Sequence, residues 1–298
     1  MTTGHPHGGN VERIAHSRGV DPDSLLDLSA SLNPYAPDVT ILAVARLGSL
    51  RRYPDATDAH RQLAEAIGVE PARLLLTNGG AEAITLLAAE VGGWVEDPEF
   101  SLLPRDGAPD SAPRWRSNPN NPTGRLARPE DQAEVWDEAF YPLATGCWTR
   151  GDGDALAAVG SLTKVFECPG LRLGYALADP ELIGRLRARQ PEWSVGGLAA
   201  ALVPELLAAA DLGGWSRRIA TGRVELAELL GRHGFSPLPS DANFVLCHAP
   251  PDFRERLIGH GIVVRECTSF GLPGFVRIAV PDDDGLERLA AALGQMST

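Results

Sequence analysis

The amino-acid sequence predicts an α/β protein with a large domain built on a mostly parallel sheet and a smaller α+β domain. The chain has 298 residues, of which 44% are hydrophobic, enough for two packed cores. Strand-like and helix-like patterns alternate through its middle, as they do in parallel sheets. After a long helical stretch at 216–233 the alternation resumes on a smaller scale. We expect the large domain at 45–190 and the small domain at 1–44 together with 191–298.

The individual elements follow from apolar periodicity and from the glycines and prolines that interrupt it. Residues 73–76 predict a strand that enters the turn Asn78-Gly79-Gly80, and a helix follows at 81–90. The segment 92–117, rich in Pro, Asp and Gly, predicts irregular chain. Further helices are predicted at 41–50, 60–67, 181–189, 197–210, 216–233, 253–261 and 286–293. Strands are predicted at 171–177, 242–247, 262–265 and 275–280, and 155–161 is a strand or a helix end.

Composition and charge exclude several classes of function. A formal net charge of −12 argues against a nucleic-acid partner, because phosphate neutralisation needs a basic surface. No apolar run approaches the roughly 18 residues of a membrane span. Residues 1–10 lack the pattern of a secretory signal, so we expect a cytoplasmic protein. The four cysteines are far apart, which favours reduced structural thiols over disulfides or a metal site.

The chain contains 26 arginines but a single lysine, Lys164. Arginine cannot replace a lysine whose amine must lose its proton and attack a carbonyl, since guanidinium stays protonated. A lone lysine can also survive by accident, so its neighbours decide. Ser161 and Thr163 precede it and Arg172 follows eight residues later, which together make a set of groups able to bind a phosphate.

Two further motifs lie upstream of Lys164. Two Asn-Pro steps within 117–124 make a rigid turn that can project the amide of Asn121, although such turns are often only structural. Asp137, which alone would be interpreted as a cap residue, can keep a pyridine nitrogen protonated and so make the ring an electron sink. Together the three motifs predict a pyridoxal 5'-phosphate (PLP) site with Lys164 as the Schiff-base lysine.

In this order the three motifs resemble the fold-type I aminotransferases, and most closely the threonine-phosphate decarboxylases related to histidinol-phosphate aminotransferase. The resemblance covers nearly the whole chain. It implies the PLP-dependent transferase fold of type I, an enzyme with PLP as cofactor and a small amino acid as substrate, and a homodimer. Further segments that resemble this branch are 7–10, 26–30, 33–34, 52–55, 77–82, 192–195 and 275–279.

The resemblance also implies roles for single residues. Lys164 would form the Schiff base and move protons at the substrate α-carbon, Asp137 would pair with the ring nitrogen, and Asn121 with the ring oxygen. Phe100 would stack on the ring and Arg277 would bind the substrate carboxylate. The cofactor phosphate would be bound by Gly80, Ala81, Glu82, Ser161, Thr163 and Arg172, and by Tyr53 from the neighbouring subunit. Asn33 and Arg265 would lie near the carboxylate or phosphate of the substrate.

Two parts of the chain depart from the family pattern. Between Phe100 and Asn118 the family has many more residues, and 124–137 is too short for the usual helix and full strand. We therefore expect a trimmed large domain. Phe140 stands where many aminotransferases have a tyrosine, and Glu167 where a small residue is preferred.

The reaction type depends on which bond to the substrate α-carbon stands perpendicular to the ring, and the sequence does not fix that angle. The flanking segments favour decarboxylation of L-threonine O-3-phosphate in cobalamin biosynthesis. Transamination of histidinol phosphate or a similar amino acid is the alternative. A non-catalytic cofactor-binding protein is disfavoured by the presence of both Lys164 and Arg277. A nucleotide-binding protein is disfavoured because the G-x-G-x-x-G spacing is missing.

Overall fold

The computed structural model describes residues 8–151 and 155–296, so His7 of the predicted segment 7–10 lies outside the described residues. The helices in these ranges are α1 Val11–Arg18, α2 Val39–Val44, α3 Thr57–Ile67, α4 Gly79–Val91, α5 Tyr141–Thr145, α6 Leu162–Val165, α7 Pro180–Arg189, α8 Gly197–Ala208, α9 Leu212–Arg232, α10 Phe253–Gly259 and α11 Asp283–Met296. The strands are β1 Leu26–Asp27, β2 Leu74–Asn78, β3 Trp94–Val95, β4 Arg114–Ser117, β5 Val135–Asp137, β6 Ala157–Gly160, β7 Leu173–Ala178, β8 Phe244–His248, β9 Ile262–Val263, β10 Arg265–Glu266 and β11 Phe275–Ala279.

A six-stranded sheet forms the large layer, with the strand order β2-β7-β6-β5-β4-β3. The four strands β3 to β6 run parallel to one another, while β7 and β2 are antiparallel to their neighbours. This arrangement confirms the predicted mostly parallel sheet. Its register pairs Ser117 at the end of β4 with Asp137 at the end of β5, so the carboxyl ends of the parallel strands meet at one edge.

Helices cover both faces of this sheet because its strands are apolar on both faces. Along β2, Leu74 and Leu76 pack in one core with α3 and α8. Leu75 points to the other face, where it packs in a core with α4 and α7. This alternation follows from the two-residue period of a strand, and the near-continuous apolar run of β2 is typical of a strand buried on both sides.

A second layer consists of the antiparallel sheet β10-β11-β8, with α9, α10 and α11 packed around it. Leu226 of α9, Val245 of β8 and Leu289 of α11 belong to its core. Strands β1 and β9 form a separate parallel pair, which ties the N-terminal segment to this layer. The predicted strand 262–265 is divided between β9 and β10, because the chain changes partner there.

The division into domains at residue 190 stays a prediction, and the packing favours a later boundary. Leu202 and Val203 of α8 lie in the same core as Leu63 of α3, on the large sheet. Leu226, Leu229 and Leu230 of α9 instead lie in the core of the small sheet. The change of packing partner therefore takes place within the long helix α9 rather than before α8.

The two segments expected to be short are short in the structure. The prediction of irregular chain at 92–117 is wrong at both ends, where β3 and β4 lie, but the chain from 96 to 113 has neither helix nor strand, and β3 has only two residues. Between Gly124 and β5 the structure likewise has no helix. Within the described ranges no single helix is both long and apolar enough to cross a bilayer. Helices α8 and α9 meet both conditions only as a pair, and that pair is bent by 82° at its break.

Candidate active site

A cavity of about 390 Å³ lies where the two layers meet, at the carboxyl ends of β4, β5 and β6. Ligand sites of open α/β sheets lie at this edge because the loops that follow the strands converge there. Eleven of the residues predicted for the site line the cavity: Gly80, Ala81, Phe100, Asn121, Asp137, Ser161, Thr163, Lys164, Arg172, Arg265 and Arg277.

Lys164 lies on the single-turn helix α6, directly after β6, and its amine points into the cavity. Nζ donates a hydrogen bond of 2.6 Å to the backbone oxygen of Ala30, and it lies 5.7 Å from the ring centre of Phe140. Burial, reinforced by the positive charge of Arg277, lowers the pKa of Lys164 to about 8. The amine is therefore far easier to deprotonate than a lysine on the surface.

Asp137 ends β5 and is 5% exposed. Its Oδ1 accepts a hydrogen bond of 3.0 Å from the backbone N–H of Ala139. Burial raises the pKa of this carboxyl to about 6, and the N–H of Ala139 and the charge of Lys164 act in the opposite direction. A buried carboxylate of this kind attracts a cationic partner such as a protonated pyridine nitrogen, because it has lost most of its hydration.

The start of helix α4 and Arg172 form a corner of the cavity that is suited to bind an anion, and we call it the anion-binding corner. Gly79 has a φ of +78°, and a Cβ atom there would lie 2.6 Å from Nη2 of Arg172. A Cβ atom on Gly174 of β7 would lie 2.4 Å from the backbone nitrogen of Gly80. The two glycines thus allow the guanidinium and the neighbouring strand to approach the helix N-terminus, where free N–H groups favour an anion.

Asn121 and Arg277 are joined at the wall of the cavity that faces the small layer. Nη1 of Arg277, on β11, donates a short hydrogen bond to Oδ1 of Asn121, and Nη2 donates to the backbone oxygen of Ser29 at 3.1 Å. Nε of Arg277 is buried without a partner. Burial lowers the pKa of Arg277 to about 10, so it stays positively charged at neutral pH. A buried cation of this kind is suited to bind a carboxylate.

Arg265 provides a second guanidinium in the same cavity. It lies on β10, paired in register with Arg277 of β11. Its Nη2 donates to Oγ of Ser269 at 2.7 Å, and its guanidinium lies 5.3 Å from the ring centre of Phe270. The cavity therefore presents two positive side chains from neighbouring strands on its small-layer side.

Three of the predicted site residues do not line the cavity. The side chain of Glu82 turns back to accept from the N–H of Asn78, and it also binds Gln190 and Ser194, so it caps α4. Asn33 is fully buried and donates to the backbone oxygen of Val165, which makes it a support for the lysine-bearing segment rather than a cavity residue. Tyr53 lies outside the cavity and is 79% exposed.

A sequence profile of the family described as aminotransferase class I and II matches residues 115–293, more than half of the chain. The chain belongs to the class I and II aminotransferase family. Threonine-phosphate decarboxylase from Salmonella typhimurium is 31% identical, with 98% of this chain and 96% of that protein covered. Histidinol-phosphate aminotransferase 2 from Pseudomonas aeruginosa is 28% identical, with 97% and 94% covered. The first alignment spans 351 positions, more than the 298 residues of this chain, which confirms that the chain is shortened.

Solved structures of the same kind share the fold. Histidinol-phosphate aminotransferase from Sinorhizobium meliloti, in complex with pyridoxal-5'-phosphate, has a TM-score of 0.81 and 20% identity, with 96% of this chain and 94% of that chain covered. L-threonine-O-3-phosphate decarboxylase from Porphyromonas gingivalis has a TM-score of 0.77 and 22% identity, with 91% and 99% covered. These likenesses confirm the predicted PLP-dependent transferase fold.

As a class I and II aminotransferase-family protein, the chain is a PLP-dependent enzyme. The chemical groups that line the cavity fit that cofactor. It combines an anion-binding corner at α4, a buried carboxylate at Asp137 and a buried primary amine at Lys164. These are the groups that a phosphate, a pyridine nitrogen and an aldehyde require.

The family motifs did not identify every residue of the cavity. Ser29 and Ala30 lie in the segment 26–30 that resembles the family, but the resemblance implied no role for them; their backbone oxygens accept hydrogen bonds from Arg277 and Lys164 respectively. Phe270 follows β10 in a short turn and was not predicted. Glu99, one residue before Phe100, is 2% exposed although it carries a carboxyl group, and burial raises its pKa to about 7. A glutamate beside a proline in an irregular segment gives no indication of burial, so only the structure could identify it.

Proposed function

We propose that this enzyme decarboxylates an amino acid that carries a phosphate group, with L-threonine O-3-phosphate as the substrate and cobalamin biosynthesis as the pathway. The observation that carries the proposal is the pair of guanidinium groups, Arg277 and Arg265, on the wall of the cavity that also holds Lys164. Two anionic groups on one small substrate would match two cations on neighbouring strands. The 31% identity to a threonine-phosphate decarboxylase supports the same choice.

We assign the cofactor contacts as follows. Lys164 would bind the cofactor aldehyde, Asp137 would pair with the pyridine nitrogen, and Asn121 would donate to the ring oxygen. Phe100 would stack on the ring. The phosphate would be held by the N-terminus of α4 at Gly80, Ala81 and the backbone of Glu82, together with Ser161, Thr163 and Arg172. When bound, PLP withdraws electrons from the bonds at the substrate α-carbon.

The protein residues would then select the bond that breaks. Arg277 would bind the substrate carboxylate and Arg265 the distal phosphate, so the two cations would fix the orientation of the α-carbon. In decarboxylation the bond between the α-carbon and the carboxylate carbon breaks, carbon dioxide leaves, and a proton takes its place on the α-carbon. Lys164 would carry that proton, since a pKa of about 8 lets the amine both hold and release it near neutral pH.

Transamination of histidinol phosphate or a similar amino acid is the second candidate. It is favoured by the 28% identity to histidinol-phosphate aminotransferase 2, which is close to the value for the decarboxylase. The two reactions need the same cofactor contacts and differ only in the bond that stands perpendicular to the ring.

One pair of incubations tests the choice. The PLP-loaded enzyme is mixed with L-threonine O-3-phosphate, and separately with histidinol phosphate and 2-oxoglutarate. We expect carbon dioxide in the first mixture and no glutamate in the second. Glutamate in the second mixture without carbon dioxide in the first would replace the decarboxylase with the aminotransferase.

We also propose a cytoplasmic homodimer in which Tyr53 reaches the cofactor phosphate of the partner subunit. Two observations support the dimer. The exposed rings of Tyr53 and Trp193 contact each other, with their centres 4.7 Å apart. Further exposed apolar side chains lie on the segment 41–50, just before Tyr53 in the chain. An exposed apolar patch is typical of an interface. The patch consists of Ile41, Val44, Leu47, Leu50, Tyr53 and Trp193. Four unpaired cysteines, three of them buried, fit the cytoplasm.

A further inference from the structure

The shortened sheet leaves one backbone donor at its edge without a strand to bind. Strand β3 pairs with β4 only at Trp94 and Val95, whose partners are Arg114 and Trp115. Strand β4 continues to Ser117, beyond the reach of β3. A buried N–H group without an acceptor is costly, so another acceptor is needed at this position.

Glu99 supplies that acceptor. Its two carboxylate oxygens accept from the backbone N–H of Ser117 at 3.0 and 3.1 Å, and Oε2 also accepts a short bond from the Ser117 hydroxyl. Glu99 is 2% exposed and Ser117 is 3% exposed, so these contacts are sheltered from water. The Glu99 carboxyl group accepts the hydrogen bond from Ser117 that a neighbouring strand would otherwise accept. Unlike a strand, it also orients the Ser117 hydroxyl group.

The Ser117 hydroxyl connects Glu99 to the active site. Its Oγ accepts from the backbone N–H of Asn121 at 2.7 Å. Asn121 lines the cavity and accepts through Oδ1 from Arg277. A buried chain of hydrogen bonds thus runs from Glu99 through Ser117 and Asn121 to Arg277. Only the Ser117 hydroxyl is polarised from both sides, because it accepts from Asn121 while it donates to Glu99.

We propose that Glu99 is a positioning residue, which fixes the turn that carries Asn121 and through it the side chains of Asn121 and Arg277 in the PLP cavity. This inference rests on the proposed role of Asn121 at the cofactor. Glu99 itself does not line the cavity, so it would touch neither cofactor nor substrate. It acts through another residue, and the tests below are chosen to separate this action from a contribution to stability alone.

The first test is the dissociation constant of PLP, measured by fluorescence titration of apoenzyme variants. Glu99→Ala should weaken PLP binding about 3- to 10-fold, the effect of losing one buried hydrogen bond. Glu99→Gln should restore most of the affinity, because the amide oxygen can still accept from both groups of Ser117. Ser117→Ala, which keeps the backbone N–H and removes only the hydroxyl, should weaken binding to a similar degree. If Glu99→Ala fails to fold, the Ser117→Ala variant still tests the inference.

A double-mutant cycle decides whether the effect passes through Asn121. In an Asn121→Ala background, Glu99→Ala should lower the melting temperature further but should leave the dissociation constant of PLP unchanged. The control is Glu96→Gln, a carboxylate three residues away whose side chain is 70% exposed, and it should bind PLP like the wild type.

Two results would overturn the inference: wild-type affinity in both Glu99→Ala and Ser117→Ala, or the same loss for Glu99→Ala with and without Asn121. A failure of the proposed site itself would be distinguishable. In that case the Asn121→Ala variant alone would bind PLP like the wild type.

Discussion

Burial sets the ionisation of the residues proposed for catalysis. Lys164 and Asp137 are shifted in opposite directions, both toward their neutral forms, because the cavity removes them from water. Such shifts are expected where one site must hold an amine that can react and a carboxyl that waits for a cationic partner. The charged forms of Asp137 and Lys164 are therefore unfavourable in the cavity, and ligand groups of opposite charge would stabilise them.

Asp137→Asn should therefore stabilise the apoenzyme while it abolishes turnover. The pKa of Asp137 is about 6 in the folded protein against 3.8 for the free side chain, so the folded state loses stability as the pH rises from 3.8 to about 6, and the full loss is present above that range. We expect the free energy of unfolding of the variant to exceed that of the wild type by about 1–3 kcal/mol at pH 8, and by less at pH 5. Urea denaturation at the two pH values measures this.

The exposed Asp252 offers a control for this comparison. Asp252→Asn should change the free energy of unfolding equally little at both pH values. A variant Asp137→Asn that is less stable than the wild type at pH 8 would contradict the claim that burial dominates at this site.

Arg265 tests the assignment of a phosphorylated substrate. Arg265→Gln should raise the KM for threonine phosphate roughly 10- to 100-fold, because a charge-assisted hydrogen bond to the phosphate is lost. The much weaker reaction of unphosphorylated threonine should be unchanged. Arg232→Gln, at the exposed end of α9, is the matched control and should leave both values as they are. Equal losses for both substrates would instead assign Arg265 to the carboxylate.

At the scale of elements, the close approach of β7 to the start of α4 forms the anion-binding corner. Gly174→Ala should break it, because the new Cβ would lie 2.4 Å from the backbone nitrogen of Gly80. We expect the dissociation constant of PLP to rise at least about 10-fold and stability to fall by about 1–3 kcal/mol. Equilibrium dialysis with PLP and thermal unfolding measure the two effects.

The matched control is Gly184→Ala in α7, where a Cβ would meet no atom within 4 Å. It should leave PLP binding unchanged and stabilise the protein by roughly 0.5–1 kcal/mol, as alanine does within helices. If Gly174→Ala binds PLP as tightly as Gly184→Ala, the corner does not depend on this close approach.

The elements also indicate how far the sequence determines the structure. Turn signals and apolar runs located α4 and β7, because glycines and a two-sided apolar pattern act locally, while the pattern at 155–161 fits a strand or a helix end and forms strand β6 in the structure. The split of 262–265 into two strands depends on distant partners at Leu26 and Arg277, which periodicity does not report. Motifs located Lys164, Asp137 and Asn121, but the buried position of Glu99 depends on its contacts with Ser117 of β4, which the sequence does not report.

At the scale of the whole molecule, the exposed apolar patch around Tyr53 is the proposed dimer interface. Val44, 69% exposed in the patch, should tolerate no charge if the patch is buried in a dimer. Val44→Glu should therefore shift the protein toward monomers in analytical ultracentrifugation. It should also weaken PLP binding, since Tyr53 of one subunit would no longer reach the other. Val224→Glu, at a valine 57% exposed on α9, should stay dimeric. Equal behaviour of the two variants would place the interface elsewhere.

The central claim is that the only lysine side chain of the chain reaches the PLP aldehyde covalently, and borohydride reduction tests it most directly. The PLP-loaded enzyme is reduced, digested and analysed by mass spectrometry. We expect one modified peptide that contains Lys164, and no stable adduct in Lys164→Ala. A reduced adduct that persists in Lys164→Ala, or one found only at the chain's N-terminal amine, would contradict the account.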